Sequence, residues 1–357
     1  MKILILTCST GGGHNSCAKY ILEGAREKGI EADRVDFLSL ASEKTSKIVE
    51  NLYLGSTKGE GKVFKNLYKL GEAYDRTKVT SPVYLANKAL SKRLSEYIKE
   101  NGYNIIICTH LFPSQAVTSL KKKENITLIN VATDYHVIPF WDETNPNYFV
   151  IPSKLLKDEF ISFGFKEETL LPYGIPVSKN LLNYKKLDFK TDKKKVLLTS
   201  GSMGFGKIED IVKDLLEKLD IYLIVICGTN KDLYEKLTKI NNPNLLVKGF
   251  VNNMNDYIYS SDLILSKPGG LTTTEISVIN KPFIHIMPIP GVEDYNAKFF
   301  KENKMSLVCN TVDEIVETTR DLLNDHDLQK TLMENQRENI NADSVDNLLD
   351  FLKEHYK

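Results

Sequence analysis

The α/β pattern of this chain is clearest in SKPGGLTTTEISVINKPFIHIMPIPGVEDYN, residues 266–296. It follows an apolar run at 263–265, which is typical of a short buried strand. The residues at 268–270 then predict a turn that opens a helix over 271–279. A second apolar run at 283–287 predicts another strand. The segment is therefore a strand, turn, helix and strand unit, as found in parallel sheets.

The turn at 268–270 has the features of a phosphate site. The first N–H groups of a helix lack intrahelical partners and carry a partial positive charge, and glycines let an anion approach the backbone closely. Lys267 adds a full positive charge. Glu275 lies about one and a half turns into the helix, where a carboxylate can accept hydrogen bonds from both hydroxyls of a ribose. The segment predicts a nucleotide site, with an ordinary βαβ unit whose glycines only make turns as the alternative.

Length and composition indicate two domains with large cores. The chain has 357 residues, 42% of them apolar, and a formal net charge of zero, so its overall charge attracts no nucleic acid. The N-terminal half is the more basic one, where we expect an anionic surface to bind. Widely spaced cysteines favour a reducing compartment without disulfides. Because no apolar run has the length of a signal peptide core or a spanning helix, a cytosolic or peripheral membrane protein is predicted.

Strands and helices alternate in two series along the chain. The first series begins with a strand at 3–8, a glycine loop at 9–14 and a helix at 16–28, and the second restarts at 196. Two βαβ series predict two doubly wound α/β domains. The polar, lysine-rich stretch between them is the predicted linker, with the boundary near Asn183.

Residues 245–297 carry a resemblance to a known family. The elements GF, SD, KPGGLT, E, PG and N occur there in that order, which is specific by the standards of short motifs. This order resembles the sugar-nucleotide signature of glycosyltransferase family 28, especially its branch of processive diacylglycerol β-glycosyltransferases and monogalactosyldiacylglycerol synthases. The resemblance implies the α/β fold called GT-B. It has two doubly wound Rossmann-like domains, here 1–183 and 184–344, with a cleft between them and the C-terminal helix, 345–357, packed back on the first domain.

The resemblance also implies roles for residues of the second domain. Backbone groups of Gly249 and Phe250 would read the uracil of a UDP-sugar, and Glu275 would hold its ribose. The groups expected around the diphosphate are Lys267, Pro268, Gly269, Gly270 and Thr272. Those expected on a loop that faces the sugar hydroxyls are Glu293, Asp294 and Asn296. Val292 stands where close relatives carry Gln, which leaves the identity of the hexose open.

A second glycine loop, GSMGFGKI at 201–208, starts the predicted second domain. Its spacing nearly matches a Walker A loop, but Ile208 replaces the Ser or Thr whose hydroxyl would hold magnesium, so an ATPase is not favoured. By resemblance, the residues expected to line the site near the diphosphate are Gly201, Ser202 and Gly204.

The first glycine loop, GGGH at 11–14, does not fit a dinucleotide fingerprint, because the G-x-G-x-x-G spacing is broken after His14. It resembles a family loop that lies beside the acceptor, which implies that Gly12 and Gly13 line the acceptor side. His14 can then take the proton from the acceptor hydroxyl or donate to the donor phosphates. A histidine that only caps the helix is the alternative.

The sequence ATDYH at 132–136 ends a predicted strand, so Asp134 and His136 should project from the carboxyl end of the sheet. The family has a similar TD…H…W stretch, which implies that His136 and Trp141 lie on the acceptor side. Asp134 is a second candidate for the general base, alone or paired with His14. An aspartate that caps the next turn is the alternative.

The segment 58–93 is rich in lysine, with apolar residues at spacings of three and four between the charges. A basic amphipathic helix of this kind can lie on an anionic bilayer, although a helix whose apolar face is core shows the same pattern. Since the family places its membrane and acceptor region here, the resemblance favours the membrane.

Together these features predict an inverting glycosyltransferase, peripheral on the cytoplasmic side of the membrane. It would move a hexose, with glucose favoured, from a UDP-sugar to a diacylglycerol-type lipid. No metal or other cofactor is expected, because the helix N-terminus and Lys267 can meet the charge of departing UDP. Two alternatives stay open: transfer of N-acetylglucosamine to another lipid-linked acceptor, and a non-catalytic nucleotide-sugar-binding protein.

Overall fold

The apolar runs form two parallel sheets in a computed structural model, which describes residues 1–9, 12–40, 80–121, 123–199 and 207–356. Contacts divide the chain into two units. The first unit comprises Met1–Lys179, Pro290–Val292 and Asn341–Lys357, and the second comprises Asn180–Ile289 and Glu293–Ile340.

The first unit is built on a six-stranded sheet. Its strands are β1 (Lys2–Thr7), β2 (Glu31–Asp36), β3 (Ile105–Cys108), β4 (Thr127–Val131), β5 (Tyr148–Val150) and β6 (Leu170–Leu171). They lie in the order β2-β1-β3-β4-β5-β6, and all described pairs are parallel. Because helices cover both faces of a parallel sheet, its inner strands are apolar throughout, and all four residues of β3 are buried.

The helices of the first unit flank this sheet. They are α1 (Gly12–Glu27), α2 (Pro82–Ala89), α3 (Ser91–Asn101), α4 (Leu111–Leu120) and α5 (Lys157–Ser162). Short 3₁₀ helices span Phe37–Leu40, Trp141–Glu143, Lys154–Leu156 and Glu167–Thr169, and a fifth, Lys179–Leu182, leads into the second unit.

The second unit repeats the pattern. Its strands are β7 (Lys194–Thr199), β8 (Ile221–Ile226), β9 (Leu245–Lys248), β10 (Leu263–Ser266), β11 (Phe283–Ile286) and β12 (Leu307–Cys309). They lie in the order β12-β11-β10-β7-β8-β9, with parallel pairing throughout.

The helices of the second unit are α6 (Ile208–Lys218), α7 (Lys231–Leu237), α8 (Met254–Ser260), α9 (Gly270–Ile279), α10 (Val292–Glu302), α11 (Val312–Asn324) and α12 (His326–Asn339). A capping box, in which Thr311 and Glu314 satisfy each other's backbone N–H groups, starts α11. The last helix, α13 (Ser344–His355), belongs to the first unit.

Both sheets are doubly wound, and the strand order of each reverses once. In the first unit the reversal lies between β1 and β3, and in the second it lies between β7 and β10. Ligands of open α/β sheets bind outside the carboxyl ends of the strands at such a reversal. By this rule, ligands are expected at the segments that follow β1, β3, β7 and β10.

The C-terminal helix α13 packs closely on α1. A Cβ atom added to Gly24 would lie 2.4 Å from Val345 Cγ1, so only a glycine permits this approach of the two helices. Lys28 forms ion pairs with Asp346 at 2.9 Å and with Asp350 at 2.6 Å. The chain end therefore supports the helix whose first turn carries His14.

The structure differs from the sequence prediction at α1, which begins at Gly12 and not at Ser16. Glycine adopts helical and loop dihedral angles about equally, so composition alone does not locate this start. Of the predicted basic helix, residues 58–79 lie outside the described residues, and the rest forms α2 and α3. Among the described residues, every helix is too short or too polar to cross a bilayer.

Candidate donor and acceptor sites

The turn from β10 into α9 lies at the strand reversal of the second unit, and α9 begins there without a side-chain cap. Gly269 is the N-cap residue of α9 and offers no side chain to the first turn. A Cβ atom added to Gly269 would find no atom within 4 Å, although its φ of −73° suits any residue. Neither backbone strain nor packing explains this glycine. Open space beside an uncapped helix N-terminus is what a close anionic ligand needs.

Lys267 places a positive charge at the same turn. The residue is 9% exposed, and burial lowers the pKa of its ammonium, while the nearby Glu293 carboxylate opposes that shift. Glu293 is the carboxylate whose charge acts on this ammonium. A bound anion would add a second charge partner, which favours a buried ammonium.

Thr272 and Glu275 lie on the half-exposed face of α9. The opposite face, with Thr273, Ile276 and Ser277, is buried against the sheet. A spacing of three residues puts Thr272 and Glu275 next to each other on the helix surface. The structure thus brings together the turn, the lysine and the carboxylate that the sequence assigned to one nucleotide.

The predicted sugar-facing loop is wrong in its structure, because Glu293, Asp294 and Asn296 belong to helix α10. Asn296 is fully buried, and its Nδ2 donates to the Pro268 carbonyl at 2.9 Å. The Asn296 side chain therefore holds the backbone of the turn and has no exposed surface that a sugar could contact. Glu293 Oε2 accepts the Ile289 N–H at 2.8 Å, and Asp294 is exposed.

The remaining donor-side residues are only partly described. Gly249 and Phe250 follow the end of β9, and the Phe250 side chain is 69% exposed. Gly201, Ser202 and Gly204 lie outside the described residues.

His14 lies in the first turn of α1, at the strand reversal of the first unit. Its Nδ1 is 2.8 Å from the Thr109 carbonyl oxygen and 3.0 Å from Thr133 Oγ1. A carbonyl only accepts, so the Nδ1 atom must carry a hydrogen, and in the neutral ring Nε2 is left as the acceptor. Thr133 Oγ1 in turn donates to Asp134 Oδ2 at 3.4 Å. The two candidate bases are thus joined through one hydroxyl.

A second histidine, which the sequence reasoning missed, lies beside His14. The His110 ring is 4.7 Å from that of His14 in an edge-to-face arrangement, and its Nδ1 accepts the Phe112 N–H at 3.1 Å as the N-cap of α4. Burial, and secondarily His14, lowers the pKa of His110 well below its usual value. His110 follows β3, so the rule of strand ends at a reversal would have found it.

The other acceptor-side residues separate into surface and core. Gly12 is exposed and Gly13 is half-buried at the start of α1, and a Cβ atom on Gly12 would meet nothing within 4 Å. His136 Nδ1 lies 2.6 Å from Glu159 Oε1. Trp141 is only 4% exposed and packs on Phe149 at 4.9 Å, so most of its ring belongs to the core.

Comparison with known proteins shows the family of the chain. Residues 14–177 match the family model of monogalactosyldiacylglycerol (MGDG) synthase, and residues 195–348 match that of the glycosyltransferase family 28 C-terminal domain. A processive diacylglycerol beta-glucosyltransferase of Bacillus subtilis (strain 168) is 30% identical over 370 residues, covering 99% of this chain and 95% of the relative. One of Staphylococcus aureus (strain MRSA252) is 29% identical over 337 residues, covering 90% and 85%.

Solved structures show the same fold at low sequence identity. MurG of Acinetobacter baumannii is 13% identical with a TM-score of 0.65, covering 99% of both chains. The spinosyn rhamnosyltransferase SpnG complexed with thymidine diphosphate is 10% identical with a TM-score of 0.67, covering 98% of this chain and 100% of that one. These likenesses establish the GT-B fold class.

Proposed function

The chain belongs to glycosyltransferase family 28, in its diacylglycerol glycosyltransferase branch, and on that premise we propose that it transfers glucose from UDP-glucose to a diacylglycerol-type lipid with inversion at the anomeric carbon. The relatives named processive diacylglycerol beta-glucosyltransferase support this choice of sugar and acceptor. The observation that carries the proposal is the turn at Gly269, where a helix N-terminus without a side-chain cap, the Lys267 ammonium and the Glu275 carboxylate share one region.

In the proposed donor complex, the diphosphate lies at the N-terminus of α9. The amides of the first turn and Lys267 bind its oxygens, and Glu275 accepts hydrogen bonds from the ribose hydroxyls. The uracil lies by the backbone of Gly249 and Phe250. The sugar lies toward Glu293 and Asp294. Asn296 is buried and acts on the donor indirectly, through its bond to the Pro268 carbonyl.

For the acceptor we propose His14 as the general base, with Asp134 in support. His14 Nε2 takes the proton of the lipid hydroxyl, while Thr109 and Thr133 hold Nδ1–H and so fix the ring. The Asp134 carboxylate, one hydroxyl away, stabilises the positive ring that forms during transfer. The acceptor oxygen then bonds to the anomeric carbon as the bond to the phosphate oxygen breaks, and UDP departs as an anion.

The proposed reaction uses no metal, because the departing charge is met by the amides of α9 and by Lys267. We expect turnover to survive prolonged dialysis against EDTA without loss. A loss that Mg²⁺ or Mn²⁺ restores would contradict this part of the proposal.

We further propose that the protein acts at the cytoplasmic face of the membrane as a peripheral protein. A lipid acceptor requires contact with a bilayer, and the N-terminal half carries the excess of basic residues. In helix α2, Leu85 is 56% exposed, which suits an interfacial surface. Binding to anionic vesicles that weakens as salt is added would support this location, and equal binding to neutral vesicles would count against the electrostatic part.

The function is tested by supplying labelled UDP-glucose, UDP-galactose and UDP-N-acetylglucosamine with diacylglycerol micelles and identifying the glycolipid by NMR. A β-glucosyl lipid is the expected product. An N-acetylglucosaminyl product would contradict UDP-glucose as the donor, and an α-linked product would exclude inversion at the anomeric carbon.

Two variants test the site. Glu275→Ala should weaken UDP binding in calorimetry about 10-fold or more, since it removes charge-assisted hydrogen bonds, whereas Glu217→Ala on the exposed face of α6 should not. His14→Ala should keep UDP binding and lose turnover. A nucleotide-sugar sensor would bind UDP and show no turnover in the wild-type protein either.

A further inference from the structure

His285 is a buried histidine that the proposed reaction does not use. It lies on β11 with no exposed surface, and burial lowers the pKa of its ring to about 3, so the ring is neutral. Its Nε2 is 3.0 Å from Thr273 Oγ1, and its Nδ1 is 3.0 Å from Ser306 Oγ. A neutral imidazole donates through one nitrogen and accepts through the other, and two hydroxyls satisfy both.

The surroundings of His285 give no packing reason for a polar ring. The rings of Phe283 and Phe300 lie 4.9 Å and 5.5 Å from it, edge to face. Burial of a polar group in such a place is unfavourable unless both nitrogens keep their partners. The two hydrogen bonds, to Thr273 and to Ser306, are therefore the reason that a histidine occupies this position.

The bond to Thr273 connects the sheet to the helix that begins at the phosphate turn. Thr273 N–H donates to the Gly269 carbonyl at 2.9 Å, so the residue is tied directly to the turn. Ser277, on the same buried face of α9, donates only to the Thr273 carbonyl at 2.8 Å, within the helix. In register, His285 pairs with Ser266, the last residue of the strand before the turn. His285 is thus linked to both sides of the turn: to Ser266 before it by strand pairing, and to Thr273 after it by the side-chain hydrogen bond.

We propose that Thr273 and His285 are positioning residues of the donor site, whose hydrogen bond fixes the rotation of α9 about its axis. The consequence, which rests on the proposed function, is that Glu275 and the first-turn amides are aimed at a nucleoside diphosphate. Side-chain ends lie roughly 5–6 Å from a helix axis, so a rotation of about 10° moves the Glu275 carboxylate by about 1 Å. Misplacement of that size can cost about 100-fold in rate.

The test compares hydroxyl deletions on one helix face. Thr273→Val keeps the shape and removes the bond to His285, Ser277→Ala removes a hydroxyl bonded only within the helix, and Thr273→Ser restores the hydroxyl. Each protein is titrated with UDP by calorimetry and unfolded with urea, and kcat and KM for the UDP-sugar are measured. We expect Thr273→Val to weaken UDP binding and raise KM about 10-fold, Ser277→Ala to leave both unchanged, and Thr273→Ser to recover within about 3-fold of wild type.

Ser306→Ala is a second test of the positioning role, because it removes the other partner of His285 and changes no residue of α9. It should weaken UDP binding in the same direction and by less. Equal UDP affinity in Thr273→Val, Ser306→Ala and wild type, with only lower urea midpoints, overturns the positioning role and leaves the proposed function standing. A wild-type protein that binds no UDP overturns the proposed function, and the inference with it.

Discussion

Replacing Gly24 by alanine is expected to loosen the contact of the C-terminal helix α13 with α1. The added Cβ atom would lie 2.4 Å from Val345 Cγ1 and 3.1 Å from Leu349 Cδ1. Carbon atoms pack at about 3.5–4.0 Å, so the valine methyl or the helix must move by about 1 Å. Overpacking of this kind typically costs about 1–3 kcal/mol, and alanine returns up to about 1 kcal/mol through helix propensity. After the propensity gain of about 1 kcal/mol is subtracted, the expected net loss of unfolding free energy is up to about 2 kcal/mol.

Urea unfolding of a double-mutant cycle measures this effect. Val345→Ala alone should cost about 1–2 kcal/mol, because buried methyl groups are lost. In that background the 2.4 Å contact is gone and only the 3.1 Å approach to the end of the Leu349 side chain remains, so Gly24→Ala should cost clearly less than in the wild-type background. Gly12→Ala at the other end of α1 is the control, since its Cβ atom would meet nothing within 4 Å, and it should stay within about 0.5 kcal/mol of wild type.

Additive effects in this cycle would contradict the role given to Val345. If Gly24→Ala changes the unfolding free energy equally in both backgrounds, within about 0.5 kcal/mol, then Val345 is not what limits the approach of the two helices.

Three further perturbations test the donor side. Lys267→Gln should weaken UDP binding in calorimetry about 10- to 100-fold, because a charge-assisted hydrogen bond is lost. It should not lower the unfolding free energy to a matching extent, because burial already disfavours the ammonium. Unchanged UDP affinity would contradict this prediction. Asn296→Ala should lower the unfolding free energy by about 1–3 kcal/mol, because the Pro268 carbonyl loses the amide that it accepts from, whereas Lys298→Ala on the exposed face of α10 should not. The pKa of His285 is about 3 in the folded protein and about 6.5 in the unfolded chain. Between these pH values the unfolded state binds more protons, so the unfolding free energy should fall by about 1.4 kcal/mol per pH unit as pH drops from 6.5 toward 3. His285→Phe should show a correspondingly shallower pH dependence in urea titrations, and an identical slope would contradict the assignment.

The donor turn could be predicted from the sequence because its signals are local. Apolar runs mark β10 and β11, glycines mark the turn, and a spacing of three residues puts Thr272 and Glu275 on one face of α9. All of these features fall within one short segment, so no distant residue is needed to interpret them.

Asn296 shows where local signals mislead. The Pro-Gly pair before α10 predicted a loop, but the helix begins at Val292, directly after it. The periodicity of that helix places Asn296 on its buried face, where it bonds to the Pro268 carbonyl, 28 residues earlier in the chain. The prediction placed 293–296 before the next helix, and this error in the helix start exchanged a ligand contact for a structural one.

Local sequence patterns predicted two doubly wound α/β domains, the glycine turn before α9 and a histidine at the start of α1. The contacts of the folded chain were needed to find that Thr109 and Thr133 bond to the His14 ring and that His285 bonds to Thr273. The partners of His14 lie 95 and 119 residues away, and they meet it because β3 and β4 follow β1 in the order of the sheet. Strand order arises from the packing of the whole domain, so it leaves no signal in the residues next to His14.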